Sequence, residues 1–159
     1  MIEAKFKLTE ETIMVNSKPL YRIEALRDFG DVKKGDKGGF IENESNLSQS
    51  DDCWVYDNAQ VYDYAKVYDN ALVRDNAKVY DNALVRGNAK VYGEVRVFDN
   101  AMVYGNAKVY GEADVYDNAI VCDHAIVCDN AQVYDNAMVY GDAEIYGNME
   151  IYGNTGVCN

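Results

Sequence analysis

Two cysteines and the only histidine of the chain lie close together in the stretch VCDHAIVCDNA, at positions 121–131. Thiolate sulfur and imidazole nitrogen are ligands that zinc prefers, and histidine also serves as a general base. Cys122, His124 and Cys128 therefore suggest a metal site or a catalytic site, provided that the fold brings them to one point. The elements that carry them decide whether it does.

Those elements belong to a repeat of six residues, V-Y-D-N-A-x, which runs without a break from Val55. Val or Ile occupies every sixth position from 55 to 157, and Ala stands four places later in most units. In A-x-V-Y, alternation with a period of two points Ala and Val to one side of a strand, and x and Tyr to the other. The Asp-Asn or Gly-Asn pair that follows predicts a sharp turn, because Asn tolerates the left-handed backbone conformation.

A repeat of this length predicts a β-solenoid. Three strands and three turns close a triangular coil of 18 residues, and stacking of coils at about 4.8 Å buries ladders of Val and Ala. We therefore predict an all-β fold, in which a parallel β-helix of about six coils spans 47–159. Short strands in KFKL, TIMV and LYRIEAL, with a turn at NSKP and a loop at 31–39, predict a small β cap over 1–46. Such a cap would cover the open end of the first coil.

The segment that leads into the first coil has its own signatures. Residues 26–59, LRDFGDVKKGDKGGFIENESNLSQSDDCWVYDNA, contain a Gly-Gly-apolar step, an LSQ motif and a CW-hydrophobic-Y motif. Together with the hexads, this segment resembles the YdcK-like branch of the hexapeptide-repeat proteins, which is enterobacterial and phage-borne. The resemblance implies a left-handed coil, a handedness that the spacing alone does not give. The family is described as transferases by analogy of fold.

The register sorts the outward residues onto three faces, and it separates the two cysteines. Cys122 falls on the third face and Cys128 on the first, with His124 at the corner between them. About four extended residues, roughly 13 Å, separate the sulfurs, whereas zinc ligands lie about 2.0–2.3 Å from one ion. A disulfide would require Cα atoms within about 7 Å. We therefore predict no metal ion, no disulfide between them and no cofactor.

The third face carries a vertical apolar stripe with a mixed row beside it. The residues are Leu84, Met102, Ile120 and Met138, flanked by Tyr104, Cys122 and Tyr140. A stripe about four coils tall, roughly 15 Å, usually marks an interface, although flat β-helix faces also show scattered apolar side chains. We predict a homo-oligomer, a dimer or a trimer, that packs through this face.

The second face carries an aromatic ladder, and the corner after it carries a ladder of carboxylates. The residues are Tyr80, Phe98, Tyr116, Tyr134 and Tyr152, followed by Asp81, Asp99, Asp117 and Asp135. Adjacent carboxylates at about 4.8 Å repel by roughly 1 kcal/mol in water. Three interpretations stay open: a solvated corner, a site for hard cations such as Ca²⁺, or an imitation of a phosphate row. Tyrosines beside carboxylates suit protein contacts, so we predict a partner protein with a basic surface.

The distribution of charge supports such a partner. The net charge is −12, and residues 109–159 contain nine acidic and no basic side chains. A direct nucleic-acid binder needs a basic face, so that class is disfavoured. The sequence contains no apolar run of about 18 residues, so no membrane span is predicted. The N-terminus lacks the features of a signal peptide. A cytoplasmic location with reduced thiols follows, in the host if the chain is phage-encoded.

We thus expect a non-catalytic, rigid interaction protein. One specific form is a phage-encoded inhibitor of a host defence or nucleic-acid enzyme that acts as a nucleic-acid mimic. The resemblance also implies an alternative, a trimeric acyltransferase that uses acyl-CoA with His124 as its base. The uninterrupted hexads lack the inserted loop that such enzymes usually carry. A structural spacer is a third possibility.

Overall fold

The computed structural model describes residues 3–159, so the first two residues of the predicted cap lie outside the described range. Within it the chain is almost entirely β, with one 3-10 turn, Glu44–Asn46, and no α-helix, which confirms the predicted class. No helix of this range is long and apolar enough to cross a membrane. The strands are β1 (Phe6–Val15), β2 (Lys18–Ala25), β3 (Lys37–Ile41), β4 (Trp54–Val55), β5 (Gln60–Val61), β6 (Lys66–Val67), β7 (Leu72–Val73), β8 (Lys78–Val79), β9 (Leu84–Val85), β10 (Lys90–Val91), β11 (Arg96–Val97), β12 (Met102–Val103), β13 (Lys108–Val109), β14 (Asp114–Val115), β15 (Ile120–Val121), β16 (Ile126–Val127), β17 (Gln132–Val133), β18 (Met138–Val139), β19 (Glu144–Ile145), β20 (Glu150–Ile151) and β21 (Gly156–Val157).

The hexads form stacked parallel coils, and each strand pairs with the strand that follows 18 residues later. The first face is the stack β4-β7-β10-β13-β16-β19, the second is β5-β8-β11-β14-β17-β20, and the third is β6-β9-β12-β15-β18-β21. Strand β3 pairs with β5, and a bridge joins Leu47 to Val67, which adds a partial turn before these six coils. The β-solenoid prediction is confirmed, with about seven turns. The left-handedness of the coil stays a prediction.

The interior of the prism is a dry stack of Val and Ala. Every residue in these two repeat positions from Val55 to Val139 is at most 1% exposed. Burial of one such Val side chain contributes about 1.5–3 kcal/mol relative to leaving it in water. Backbone amides bind carbonyls of the next coil, as in Lys90 N–H to Ala107 at 3.0 Å and Tyr92 N–H to Val109 at 3.0 Å. Short strands are therefore stable because each is part of a tall stack.

The cap is an antiparallel hairpin joined to the first coil by β3. Strands β1 and β2 pair across a turn at Asn16 and Ser17, and β2 pairs antiparallel with β3. Three details differ from the sequence prediction. The predicted turn at NSKP is shorter, because β2 begins at Lys18. KFKL and TIMV are one strand, β1, interrupted by a register shift between Leu8 and Thr12, and the predicted loop at 31–39 ends earlier because β3 begins at Lys37. The predicted boundary at 46/47 stays a prediction.

The corners show which residue of each turn pair is left-handed. The first position, Asp or Gly, has positive φ at every corner from Asp57 to Gly153, with φ between 55 and 59° at the aspartates. The prediction that Asn adopts this conformation at the corners is therefore wrong. A short carboxylate in this position bonds to a nearby backbone group, which offsets the steric cost of the left-handed region.

Candidate interaction site

The aromatic ladder of the second face is a continuous stack of rings. Neighbouring rings from Tyr62 to Tyr134 lie 5.0 Å apart between centroids and within 5° of parallel. The last step, from Tyr134 to Tyr152, opens to 5.6 Å and 16°. Stacking at this spacing follows from the rise of the coils, and offset stacking is favourable for aromatic pairs.

The ladder is buried at the cap and exposed at the far end. Tyr62 packs against Leu20 and Phe40 and is 5% exposed, whereas Tyr152 is 55% exposed. Burial raises the pKa of Tyr62 to about 12, and burial also raises the pKa of Tyr80. The phenols of Tyr62 and Tyr80 are therefore protonated at neutral pH. Further along the ladder, the hydroxyl group of Tyr116 donates to Gln132 Oε1 at 3.2 Å.

The carboxylate ladder follows the second face at what we call the second corner. Its aspartates have φ of 56–57°, and the Oδ2 atom of each accepts a bond from the backbone N–H of the residue 18 positions later, at 3.0–3.3 Å. Within residues 3–159 the Oδ1 atoms of Asp81, Asp99, Asp117 and Asp135 have no hydrogen-bond or ion-pair partner. The ladder therefore holds a row of carboxylate oxygens at fixed positions along the prism.

An open groove of about 940 Å³ runs along the second corner, lined by its Asp-Asn pairs. At the cap end, Lys18 forms an ion pair with Asp63 and lies 3.8 Å from Glu42. On the second face itself, Arg96 binds both oxygens of Asp114, through Nε at 3.0 Å and Nη2 at 2.9 Å. Because Lys18 neutralises Asp63, the unpaired acidic row of this corner begins at Asp81.

The third face shows the predicted register. Leu84 pairs with Met102, Met102 with Ile120, and Ile120 with Met138. The first three side chains of the stripe are half-buried and Met138 is 37% exposed. Beside the stripe, Arg86 lies 4.3 Å from the centroid of the Tyr104 ring. The stripe is thus one contiguous apolar strip.

The row beside the stripe contains Cys122 beneath Tyr104, and Tyr140 one coil beyond. Cys122 is buried, and a hydrogen bond to its side chain raises the pKa of Tyr104. A bond to Cys158 raises the pKa of Tyr140 in the same way. Each of these cysteines stands in the position that tyrosine usually occupies, next to the tyrosine 18 residues earlier.

The cysteines and the histidine do not meet at one point. Cys122 follows β15 on the third face and Cys128 follows β16 on the first, as the register predicted. His124 is exposed at the corner between them. Its backbone N–H donates to the carbonyl oxygen of Gly141, and its Nε2 atom lies 3.4 Å from Asn106 Nδ2. In the range 3–159 no group of three or more His, Cys, Asp or Glu side chains is arranged to hold a metal ion.

Comparison with known proteins agrees with the β-solenoid fold. The sequence profile of the YdcK β-solenoid repeat matches residues 95–111 and 131–147. These two segments are similar to YdcK solenoid repeats. A curated protein of Escherichia coli (strain K12), named "Uncharacterized acetyltransferase YdcK", is 43% identical over 42 residues, which is 26% of this chain and 13% of that protein. The two segments that match the YdcK profile include Asp99 and Asp135 of the second corner.

Two features of the site were missed by reasoning from the sequence. One is the bond that each corner carboxylate accepts from an amide of the next coil, for which the recurrence of Asp at the first turn position was the available signal. The other is the ion pair between Arg96 and Asp114, two side chains that are 18 residues apart on one face. That spacing is the coil length, so the pairing could have been read from the repeat.

Proposed function

We propose that this chain is a rigid, non-catalytic interaction protein that binds a partner with a basic surface along the second face and its corner. The observation that carries the proposal is the row of corner carboxylates whose Oδ2 atoms are fixed by backbone amides. Their second oxygens are positioned before a partner arrives, which lowers the ordering cost of binding. The stacked tyrosines beside them supply rigid, amphipathic contact area.

Electrostatics supports a basic partner. The coils after residue 108 contain nine acidic and no basic side chains, which gives that part of the molecule a strong negative potential. Neighbouring carboxylates in the ladder repel one another by roughly 1 kcal/mol in water, and lysine or arginine side chains between them would relieve that repulsion. Association should therefore be fast at low salt and slower as ionic strength rises.

A more specific form of the proposal is an inhibitor that occupies the nucleic-acid groove of an enzyme. The regular carboxylate row and the acidic composition support it, because a groove that binds phosphates also attracts carboxylates. In this form nucleic acid and this chain compete for the partner. Simultaneous binding of both to one enzyme would argue against the mimic while leaving the interaction role intact.

The proposal is tested by removing charge without removing structure. Asp99→Asn, Asp117→Asn and Asp135→Asn together keep an acceptor for the backbone amides, and Asn tolerates positive φ. The matched control is Asp57→Asn, Asp75→Asn and Asp129→Asn at the corner after the first face, whose carboxylates make the same type of bond. Both variants lose three negative charges. With a lysine-rich peptide as probe, we expect about tenfold weaker binding for the first variant than for the control, about 1.4 kcal/mol.

An equal loss of affinity in the two variants would show that the peptide responds to net charge alone. That result would contradict the proposed site. Far-UV circular dichroism and thermal melting of both variants establish that the coils remain folded.

A second candidate function is acyl transfer. The observation in its favour is the name of the relative, an acetyltransferase, together with the exposure of His124 at a corner. In this case acetyl-CoA would stabilise the folded chain and raise its melting temperature. His124→Asn, which restores the residue usual at that position, would abolish transfer of the acetyl group. The interaction proposal instead expects no melting shift with acetyl-CoA and unchanged peptide binding by the variant.

We also infer that a second copy of the chain covers the stripe of the third face. Two copies related by a two-fold axis at the middle of the stripe would place Met102 against Ile120 of the other copy, because an isologous interface must match itself. The same antiparallel arrangement sets Lys66 and Arg86 of one copy near the acidic coils of the other. This complementarity of charge favours an antiparallel dimer over assemblies in which the copies run parallel.

A further inference from the structure

The first face contains two lysines in an unusual setting. Where this face carries Leu72 or Ile126, aspartates stand at both adjacent corners. Where it carries lysine, glycine replaces both aspartates. Lys90 lies between Gly87 and Gly93, and Lys108 lies between Gly105 and Gly111. Glu94 and Glu112 follow two of these glycines, but within residues 3–159 neither forms an ion pair with Lys90 or Lys108.

The two lysines are direct neighbours on adjacent strands. Lys90 of β10 pairs with Lys108 of β13, which places their backbones about 4.8 Å apart. Two like charges at that distance repel by roughly 1 kcal/mol in water. In residues 3–159 no ion pair involves Arg74, Lys90 or Lys108, and the nearby Glu94 accepts a bond from Asn76 at 2.9 Å. Three basic side chains without an ion-pair partner in the described range are unexpected at one place in a chain with a net charge of −12.

These cations surround a pocket with ordered walls. A depression of about 200 Å³ is lined by Arg74, Lys90, Tyr92 and Lys108. The guanidinium of Arg74 is held 4.9 Å from the centroid of the Tyr56 ring, and Tyr92 stacks on Tyr110 at 5.0 Å. The pocket thus offers cationic groups and a phenol hydroxyl, all of which donate hydrogen bonds.

We propose that this pocket binds a compact phosphate dianion, the phosphate group of a small phosphorylated molecule. Arginine and lysine are the side chains that bind phosphate, through directed bonds and through charge respectively. A water molecule takes about 30 Å³ of liquid volume, so the pocket has room for a phosphate and a short organic group. A longer polyanion does not fit, because Leu72 and Ile126 lie on the coils before and after the two lysines. The corners beside Leu72 and Ile126 carry aspartates, which would repel it.

The test compares two pairs of lysines by calorimetric titration of the full chain. Inorganic phosphate and ribose 5-phosphate serve as small probes, and a single-stranded oligonucleotide serves as the polyanion. We expect saturable binding of the small probes, at least about tenfold weaker in Lys90→Ala with Lys108→Ala. The control, Lys33→Ala with Lys34→Ala, removes two exposed lysines from the loop between β2 and β3 and should bind as the native chain does.

The affinities for the two small probes show whether free phosphate or a phosphorylated molecule is the better ligand. Tighter binding of ribose 5-phosphate supports an organic phosphate, and equal binding shows that the phosphate group alone is recognised. The proposal is overturned by equal loss in the two lysine variants, by the absence of saturable binding, or by tighter binding of the oligonucleotide. Because the pocket lies on the first face, these outcomes are independent of the groove at the second corner.

Discussion

At the scale of single residues, the corner aspartates combine two tasks. At the second corner, each from Asp81 to Asp135 accepts a bond from an amide of the next coil at one carboxylate oxygen and leaves the other without a partner in residues 3–159. The repeat predicted that Asp81, Asp99, Asp117 and Asp135 stand in register, but not this bond. The reason is that the bond depends on positive φ at the aspartate, and the sequence pattern pointed instead to the asparagine beside it.

Substitution of Asp99 separates its two tasks. Asp99→Ala removes the acceptor for the Asp117 amide and places alanine in the left-handed region, so we expect a loss of about 1–3 kcal/mol in the free energy of unfolding. Asp99→Asn retains an acceptor and should lie within about 0.5 kcal/mol of the native chain. Urea unfolding measures both. Equal stability of the alanine variant and the native chain would show that the bond is unimportant.

The phenol of Tyr62 should make stability depend on alkaline pH. Its pKa is raised to about 12, whereas an unfolded tyrosine titrates near 10. The unfolded chain therefore loses this proton first, and the free energy of unfolding falls as pH rises from about 10 toward about 12. Tyr62→Phe removes that contribution. Urea unfolding at several pH values should give a shallower decline in the variant and similar stability at neutral pH; parallel declines would contradict this assignment.

At the scale of elements, the strands of the coils followed directly from the six-residue period, whereas the cap did not. Val and Ala at fixed positions identify each strand, because every coil buries the same two side chains. In the cap, β1 is a single strand with a register shift, and its length is determined by pairing with β2 rather than by its own pattern. Burial along β1 does not follow a regular alternation, so no period in its sequence marks its ends.

The junction between the cap and the coils depends on Gly39. A Cβ atom there would lie 2.5 Å from the carbonyl oxygen of Ala59 and 2.7 Å from a Val55 methyl group. Gly39→Ala should therefore move β3 away from β5 and expose the end of the core. Hydrogen exchange of the Phe40 amide, which binds Ala59 at 2.9 Å, should become faster.

Gly156→Ala provides the comparison for that experiment. A Cβ atom at Gly156 would meet its nearest neighbour, the Tyr140 ring, at 3.5 Å, which is ordinary contact. This variant should keep native exchange at Phe40. If Gly39→Ala behaves in the same way, β3 does not require the close approach.

At the scale of the whole molecule, three flat faces carry three different chemistries. The period predicted their register, so the apolar stripe, the aromatic ladder and the acidic corner could be identified before the structure was known. The fixed carboxylates and the lysine pocket could not, because they depend on corner conformation and on the space between neighbouring side chains. A regular fold therefore reveals where side chains lie more readily than what they bind.

Two single substitutions, each of which adds one negative charge to a different face, test the inferred dimer. Ile120→Glu places a carboxylate in the middle of the stripe, and Gln132→Glu places one on the second face. We expect the native chain and Gln132→Glu to sediment with twice the mass of one chain, and Ile120→Glu to sediment as a monomer. A native chain that stays monomeric at high concentration would exclude the interface.

The central claim, that the second corner is the surface that binds a partner, is tested most directly by hydrogen exchange with and without a bound lysine-rich peptide. The amides of Asp99, Asp117 and Asp135 donate to the carboxylates that would contact the peptide. We expect their exchange to slow in the complex, while the amides of Asp75 and Gly93 at the corner after the first face keep their rates. Protection spread equally over both corners, or confined to the region of His124, would contradict the account.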